Sequence, residues 1–483
     1  MNSIYTKRSN AVTQVFNDVP AEKILIVPLD FAKEKHVVRL CNGSGKYLHK
    51  SSFSVNNDKA GVEYLCQRIQ SCCARQGIAK QNVFISAESP HSYCIHFLHE
   101  LQSKGYTVLR VNAAEAKCYR KNSLASSDTI DLDGIANAVL NRRARPLEEV
   151  TKLYTNLKRC SRAYKCYKKD QARQKNRIGK LIDEIFPGFL NKQKSSVEAY
   201  SNFSLELMSK GFSIYKIRGM KLTTLTNKMR KFHLHKPVQQ AEKLKAHAAA
   251  SIAPDKILVE ALSRSLEHAI KLYRALDEAC QAEWDQMAKM LVQTPYCTLL
   301  SLPGVGVVRA VTCAAEFGHP DTWKTLDQMC AYSGIAPRTT QSGGPDKAPS
   351  IIGLPRNCNR RLKDALLQAA HQTGLTPHTA GHILPQLKEH KLMKHYKQVA
   401  ARNGKSGLST ARMILRKMRL MVRGNTIYFP DEILTSDELK IYVSATFEKI
   451  KNTLKRLDLS TIESQNNCIT QMEDEWKTIL KSL

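Results

Sequence analysis

Four carboxylates in the first third of the chain are spaced so that they can act together. Asp30 and Glu88 each follow directly on an apolar run, and Asp128 and Asp131 begin a further apolar stretch. Carboxylates at the strand ends of one sheet can converge on a hard cation, which prefers oxygen ligands. Because Asp128 and Asp131 are three residues apart, they share one face of a helical turn. The four acids together predict a metal site.

Each of these acids also has an ordinary structural explanation. Asp128 stands where a helix begins, so it can be a cap or a partner of the helix dipole. Glu88 precedes Ser89 and Pro90 and can belong to a turn. We favour the metal site because one chain carries all four acids in this order.

A glycine turn, Pro303-Gly304-Val305-Gly306, precedes an apolar segment that is predicted to be a helix from Val307 to Phe317. Glycine tolerates a positive φ, so such a turn can be a simple connection between helices. It can also be the tip of a helix-hairpin-helix, whose free backbone N–H groups contact a phosphate.

A polar loop and a basic segment follow this helix. Ser342 and Gly343 lie in the loop, and a serine before two glycines is by itself typical of a flexible loop. A serine hydroxyl is also a nucleophile when a base or a metal activates it. The basic segment Arg356–Arg361 precedes a helix predicted over 362–372, and it can be a solvated helix start or a phosphate contact. The candidate DNA-binding residues of this region are Gly304, Gly306, Arg338, Gly343, Arg356, Asn359 and Arg360.

The elements that must position the acids have the pattern of a mixed α/β sheet. Strands are predicted at 24–30, 36–40, 47–55, 83–87 and 107–111, and helices at 61–73 and about 91–103. Strands followed by alternating helix and strand favour a sheet with helices packed on it.

The segment from Asn141 to Tyr200 carries 16 Lys or Arg against 6 Asp or Glu. Clustered positive charge is what binding to a phosphate backbone requires. Tyr154, Tyr164 and Tyr167 interleave with it and can stack on unpaired bases, although tyrosines at helical spacing are more often core residues. The candidate RNA-binding residues are Lys158, Arg159, Lys168, Lys169 and Arg173.

Apolar residues recur at steps of four and three from Leu262 to Leu291, which is the pattern of a coiled-coil seam. Such a seam can join protomers. It can equally pack within the chain, against the helix predicted at 146–185.

Composition narrows the class of partner. The 483-residue chain has a net charge of +31, which implies a polyanionic partner, most simply nucleic acid. No run of about 18 apolar residues is present, so we expect no membrane partner. The start lacks the apolar segment of a signal peptide, and the 14 cysteines include no Cys-x-x-Cys pair. We therefore expect a cytoplasmic bacterial protein with reduced thiols, associated with the nucleoid when active.

Taken in order, the C-terminal motifs resemble the transposase domain of the DEDD-type insertion-sequence recombinases. This is the family of insertion sequence one-hundred-and-ten, with the Piv-type DNA invertases as relatives. The matching pieces are Pro303–Gly306, Ala331–Arg338, Ser342-Gly343 and Asn359–Lys363. Cys358 stands where the family usually has glycine.

The N-terminal acids resemble those of the same family's RuvC-like, ribonuclease-H-type domain. The resemblance rests on Leu29-Asp30, Ala87-Glu88 and Ser127–Asp131, with Ser127 in place of the family's threonine. Asp133 is an additional carboxylate nearby.

The resemblance implies a DNA transposase or site-specific recombinase that cuts and rejoins DNA strands. Ser342 would be the nucleophile, and Asp30, Glu88, Asp128 and Asp131 would bind Mg²⁺. The implied partners are donor and target DNA, a structured guide RNA encoded by the element, and further copies of the chain in a dimer or tetramer. Two alternatives stay open: a RuvC-type metal-dependent endonuclease or Holliday-junction resolvase with water as the nucleophile, and a basic nucleic-acid-binding protein without activity.

The expected architecture is α/β plus mostly α. The expected segments are a polar N-terminal arm (1–22), a RuvC-like DEDD metal-binding domain (23–145), a basic helical and coiled-coil segment (146–293), a serine-containing helical transposase domain with a helix-hairpin-helix-like turn (294–425), and a helical C-terminal tail (426–483).

Overall fold

The computed structural model describes residues 10–88, 94–120, 127–147, 152–341, 350–402, 404–429 and 434–482. The chain divides into two compact units, Met1–Glu149 and Val150–Leu483. None of the helices in these described ranges is both long enough and apolar enough to cross a membrane.

The first unit is a mixed sheet with helices on both faces. Its elements are α1 (Asn10–Asp18), β1 (Leu25–Asp30), β2 (Lys35–Val38), β3 (Cys41–Asn42), β4 (Phe53–Asn56), α2 (Lys59–Gln76), β5 (Val83–Glu88), α3 (Ile95–Ser103), β6 (Thr107–Val111), α4 (Ala113–Cys118), α5 (Asp128–Leu140) and β7 (Arg145–Pro146). The strand order is β4-β2-β1-β5-β6-β7, with β3 also paired to β1. β1, β5 and β6 are parallel neighbours, whereas β2 and β4 form an antiparallel extension.

The unbroken apolar run of β1 is explained by burial on both faces of the sheet. Leu25, Val27 and Leu29 face a core formed with α2 and α3, and Ile26 faces a second core formed with α5. A central strand that is covered on both sides needs no polar alternation. The mixed α/β sheet predicted from the sequence is confirmed.

The described part of the expected N-terminal arm is a helix. The ring of Phe16 in α1 stacks on Phe84 of β5 with centroids 5.3 Å apart, and the Arg142 guanidinium lies over the same ring. Residues 10–18 therefore cover one face of the sheet, which the polar composition of the arm did not indicate.

The second unit is mostly helical. Its elements are α6 (Lys152–Ile185), α7 (Lys192–Ser195), α8 (Asn202–Met208), α9 (Ile214–Gly219), α10 (Leu222–Lys231), α11 (Pro237–Ala250), α12 (Lys256–Leu291), α13 (Val307–Phe317), α14 (Leu326–Ser333), β8 (Arg338–Thr340), β9 (Ser350–Gly353), α15 (Arg360–Leu375), α16 (Lys391–Ala401), α17 (Ser406–Gly424), α18 (Ser436–Thr453) and α19 (Cys468–Ser482).

The two long helices, α6 and α12, pack side by side in opposite directions. The Gln171 side chain of α6 donates to Asp277 of α12 at 2.7 Å, and Tyr154 near the start of α6 lies edge-on to Tyr296 beyond the end of α12. The apolar spacing of residues 262–291 is thus satisfied within the chain. Its use between protomers stays a prediction.

Two hydrophobic cores divide the second unit. One lies between the C-terminal half of α6, the N-terminal half of α12 and helices α8–α11, and it includes Phe186, Phe189 and Phe212. The other joins the near ends of the long helices to α13–α19 and includes Tyr428 and Tyr442. The C-terminal helices α18 and α19 therefore share a core with α13 and α15.

Candidate functional site

The carboxyl ends of two adjacent parallel strands carry the first two acids. Leu29 of β1 is in register with Ala87 of β5, so Asp30 and Glu88 occupy the next position on neighbouring strands. α5, which packs on β1, begins with Asp128. Its start is fixed by the Ser127 hydroxyl, which accepts a hydrogen bond from the Ile130 N–H at 3.4 Å. Serine and threonine are both good caps, so Ser127 performs the local role that threonine would.

The charges of two acids at the start of α5 act on Asp30. Burial raises the pKa of Asp30, and the negative charges of Asp131 and Asp128 raise it further. A hydrogen bond from the Phe31 N–H and the positive charge of Arg120 oppose this shift. Three of the four acids therefore form one negatively charged group at the sheet edge.

Arg120 neutralises part of this group. Its guanidinium lies 3.0 Å from the Asp131 carboxylate and 3.8 Å from that of Glu88, and its side chain is 15% exposed. Across the described ranges, no group of three or more His, Cys, Asp or Glu side chains is arranged closely enough to hold a metal ion. The oxygen donors suit a hard cation, but their present geometry is that of carboxylates paired with arginine. The sequence motifs gave no reason to single out Arg120.

Asp133 belongs to a different contact. Its carboxylate accepts a hydrogen bond from the Tyr47 hydroxyl and lies 3.7 Å from the Arg39 guanidinium. Arg39 in turn lies over the Tyr47 ring, 3.4 Å from the centroid. This third acid of α5 therefore holds the helix onto the sheet and is bonded away from Asp30.

In the second unit, the glycine turn has the arrangement of a type II turn. Pro303 occupies its second position, Gly304 its third with φ +73°, and the Val305 N–H donates to the Leu302 carbonyl at 3.2 Å. α13 follows at Val307, and no side chain caps its N-terminus at Gly306. The helix from Val307 to Phe317 that the sequence predicts is confirmed.

Side chains from two helices bind the carbonyls of this turn. The Thr373 hydroxyl donates to Pro303 O at 2.7 Å, and the Arg309 guanidinium donates to Gly304 O at 3.0 Å. The first N–H groups of a helix lack intrahelical acceptors. Because the carbonyls of Pro303 and Gly304 are already bound, the N–H groups at the start of α13 are the donors that the turn leaves for a ligand.

The loop that contains the candidate nucleophile joins two short strands. β8 and β9 pair in antiparallel fashion, with Thr340 opposite Ser350. Ser342 and Gly343 themselves lie outside the described residues. Arg338, the first residue of β8, and Arg356, which follows β9, are exposed.

Asn359 holds the start of α15 instead of facing outward. Its side-chain oxygen accepts from the Leu362 N–H at 3.1 Å, while its amide nitrogen donates to Glu316 at 2.8 Å and to the Tyr332 hydroxyl at 3.0 Å. Arg360, the next residue, is exposed. The cap thereby fixes the position of the arginines around it.

Glu316 is a site residue that the sequence interpretation missed. It is almost fully buried in the last turn of α13, where the Arg162 guanidinium lies 3.3 Å and the Lys158 ammonium 3.7 Å from its carboxylate. An acid in the last turn of an apolar helix opposes the helix dipole. That mismatch was the one signal in the sequence that Glu316 must have a partner.

Two family models match the chain over the regions that contain these residues. A model described as Transposase matches residues 27–187, which include the four acids and α6. A model described as Transposase IS116/IS110/IS902 family matches residues 297–401, from the glycine turn through α16. The chain belongs to the IS110 family of transposases.

A similar protein supports the same membership. The Insertion element IS110 uncharacterized 43.6 kDa protein of Streptomyces coelicolor is 33% identical over 117 residues, which are 24% of this chain and 26% of that protein. The match thus spans about a quarter of the relative's length. In this IS110-family chain, residues 188–296 and 402–483 lie outside both family models.

Cys358 stands where the family usually has glycine. Its side chain fits because Gly334, which lies against it, has no side chain. A Cβ on Gly334, whose φ is +70°, would lie 2.4 Å from the Cys358 sulfur. The Asn359 N–H beside it still donates to the Tyr332 carbonyl at 2.9 Å. The replacement therefore leaves the Asn359 cap in place.

The basic residues of α6 divide between internal and external roles. Lys158 pairs with Glu316, and Lys168 donates to Gln171 at 2.8 Å. Arg159, Lys169 and Arg173 are exposed. Of the interleaved tyrosines, Tyr154 is buried and Tyr164 packs against the same core, so the core explanation holds for both.

We predict that Glu316→Gln destabilises the second unit by about 1–3 kcal/mol at pH 7, because it removes a buried acceptor for Asn359 and Arg162. Burial raises the pKa of Glu316, but the hydrogen bond from Asn359 and the charges of Lys158 and Arg162 outweigh it and lower the pKa overall. A lowered pKa contributes stability above the ordinary pKa of 4.5 that is lost as pH falls through the folded value.

The free energy of unfolding in urea should therefore differ less between wild type and Glu316→Gln at pH values below 4.5 than at pH 7. Asp321→Asn, at an acid whose side chain is 81% exposed, is the control and should change little. A constant difference at all pH values would contradict the assignment of the pairing to the ionised carboxylate.

Proposed function

We propose that this protein cuts and rejoins DNA strands as a transposase or site-specific recombinase, with Ser342 as the nucleophile and Asp30, Glu88, Asp128 and Asp131 as ligands of Mg²⁺. The observation that carries the proposal is the placement of Asp30 and Glu88 at the ends of neighbouring parallel strands, with Asp128 and Asp131 near enough to raise the pKa of Asp30. The strand order, with an antiparallel extension followed by parallel strands, supports a RuvC-like unit.

The acids would act through the cation they hold. Mg²⁺ bound there would lower the pKa of an attacking hydroxyl and neutralise charge on the phosphate. Asp30 suits this role because burial and the charges of Asp131 and Asp128 raise its pKa, and a cation would offset that repulsion. Arg120 would have to give up its contacts with Glu88 and Asp131 as those carboxylates turn to the cation.

Ser342 would form a P–O bond to a DNA phosphate as a P–O bond of the DNA strand breaks, so that the link can later be reversed for rejoining. The exposed side chains of Arg338, Arg356 and Arg360 would bind the negatively charged phosphate. The N–H groups at Gly306 and the start of α13 would contact the DNA backbone. Ser342 and the acids belong to different units, so catalysis requires both.

Further partners follow from charge. Arg159, Lys169 and Arg173 are exposed on α6, where Arg173 also pairs with Asp170 at 2.8 Å. Their positive charges suit the backbone of a structured guide RNA. Assembly of copies into a dimer or tetramer would bring several such sites to donor and target DNA.

The test uses protein, Mg²⁺, RNA transcribed from the sequence beside the gene, and labelled DNA that carries the element ends. Denaturing gels would compare wild type with Ser342→Ala and Asp30→Ala, and with Ser350→Ala as a matched exposed serine of the same hairpin. We expect a covalent protein–DNA band in wild type and Ser350→Ala that both site variants lack. Cleavage that survives Ser342→Ala but not Asp30→Ala would instead indicate a nuclease with water as the nucleophile. Binding without cleavage would indicate a nucleic-acid-binding protein.

A further inference from the structure

The C-terminal helices reach the glycine turn from outside the region that the family models match. α18 and α19 lie within residues 402–483, beyond the end of the second family model at residue 401. α18 packs against the 3₁₀ helix Pro295–Ser301, which leads directly into the turn. The Cys468 N–H at the start of α19 donates to the Val292 carbonyl, just before that helix, at 2.9 Å.

Lys449 of α18 makes the contact that joins this tail to the turn. Its ammonium nitrogen donates to the Leu302 carbonyl at 2.6 Å and to the Ser301 carbonyl at 3.3 Å. The Leu302 carbonyl is also the acceptor that closes the type II turn with the Val305 N–H. Lys449 therefore binds the same carbonyl oxygen that accepts the hydrogen bond closing the turn.

Side chains from three different helices bind the successive carbonyls of residues 301–304. Lys449 binds those of Ser301 and Leu302, Thr373 of α15 binds that of Pro303, and Arg309 of α13 binds that of Gly304. The tail adds a further bond, because the Tyr428 N–H donates to the Ser301 hydroxyl at 2.7 Å. These bonds restrict the peptide planes from Ser301 to Gly304, and thereby the backbone that leads into the start of α13.

Ion pairing does not explain why Lys449 lies at this position. Burial lowers the pKa of Lys449 to about 8, and no carboxylate compensates for it in the described ranges. The nearby His378 is itself disfavoured as a cation by burial, by Lys449 and by His390. A lysine that is partly buried without a counter-charge lowers stability at neutral pH. The two carbonyl contacts, which hold the turn, give a reason for a lysine at this position despite that loss of stability.

We propose that Lys449 is a positioning residue, through which the C-terminal tail holds the Leu302–Gly306 turn in the conformation that presents its N–H groups to DNA. The inference rests on the proposed function, in which this turn contacts the DNA backbone. Lys449 itself does not touch DNA.

The test replaces Lys449 by methionine, which keeps the length of the stem and removes the donor. Lys451→Met is the matched control, since Lys451 lies on the same helix, is 51% exposed and pairs with Glu473. Hydrogen exchange of the peptide that covers the turn reports its conformation without DNA. Binding of a short labelled DNA duplex over a series of salt concentrations reports the interaction.

In Lys449→Met we expect exchange at the turn to accelerate about tenfold, because one bond to a charged donor is lost. DNA affinity should fall by a similar factor while its salt dependence stays unchanged, because no phosphate contact is removed. Lys451→Met should change neither the exchange nor the affinity by more than about twofold. If Lys449→Met does not fold, Lys449→Gln, which is too short to reach both carbonyls, should show the same two effects.

Wild-type exchange at the turn in Lys449→Met would overturn the inference. A salt dependence reduced by about one unit would also overturn it, because Lys449 would then be a direct phosphate contact. Faster exchange with unchanged DNA affinity would show that the turn is not where DNA binds, which would remove that part of the proposed function but leave the contact itself established.

Discussion

Gly304→Ala is expected to destabilise the second unit by about 3 kcal/mol or more, from the sum of a left-handed backbone penalty and overpacking. Gly304 has φ +73°, and an added Cβ would lie 2.8 Å from the Gln372 carbonyl carbon and 3.0 Å from its oxygen. These are backbone atoms inside α15, which cannot move without disturbing the helix. The measurement is the free energy of unfolding followed by the helical circular dichroism of the full chain.

Gly306→Ala is the matched control two residues away. Gly306 has an extended backbone and no atom within 4 Å of an added Cβ. Alanine is a poorer N-cap than glycine, so we expect a loss of about 1 kcal/mol or less. Its effect should appear in DNA affinity, because the new methyl group would stand where, in the proposed complex, the backbone contacts a phosphate. Equal destabilisation by both substitutions would contradict the close contact between the turn and α15.

Asp30→Asn is expected to reduce DNA strand cleavage by about a thousandfold or more, since in the proposed mechanism it removes a charged ligand of the cation that would stabilise the transferring phosphate. The same substitution should stabilise the first unit when no divalent cation is present. Burial and the charges of Asp131 and Asp128 raise the pKa of Asp30. An acid whose pKa is raised contributes stability at low pH that is lost as pH rises from its ordinary value through the folded one.

Thermal unfolding in EDTA and in Mg²⁺ would check this prediction without an activity assay. In EDTA at neutral pH, Asp30→Asn should unfold at a higher temperature than wild type. Added Mg²⁺ should raise the midpoint of wild type much more than that of the variant, because ligand binding stabilises only the state that binds it. Equal stabilisation of both proteins by Mg²⁺ would count against a cation at Asp30.

Asp133→Asn makes the same chemical change, but we expect the opposite effect on the stability of the first unit. Asp133 is paired with Arg39 and Tyr47, and its side chain is 10% exposed. Its replacement should destabilise the first unit by about 1–3 kcal/mol, with no dependence on Mg²⁺. A metal-dependent effect at Asp133 would show that it, too, belongs to the site.

Local physical rules made much of the fold predictable. The apolar runs that end at Asp30 and Glu88 become neighbouring parallel strands, because a strand buried on both faces must be apolar throughout. α5 and α15 begin after Ser127 and Asn359, because a side-chain oxygen before a helical run satisfies a free N–H group. These signals lie within a few residues of the elements that they specify.

The partners of long side chains were not predictable in this way. The spacing of residues 262–291 indicated a helical seam but not which surface would cover it, and the structure covers it with α6. Likewise, Glu316 pairs with Arg162, which lies 154 residues earlier. Arg120, which pairs with Asp131, belongs to no recognisable motif. A side chain's partner depends on how the elements pack, and periodicity reports only which face packs.

The sequence by itself therefore determined the order of strands and helices, the acids at the sheet edge and the glycine of the turn, because each is governed by neighbours along the chain. The tertiary structure alone decided that Arg120 lies between two of those acids, that Asp133 faces away from them, and that Lys449 binds carbonyls 147 and 148 residues earlier. These contacts form only when separate elements share one core, and no pattern within a single element encodes them.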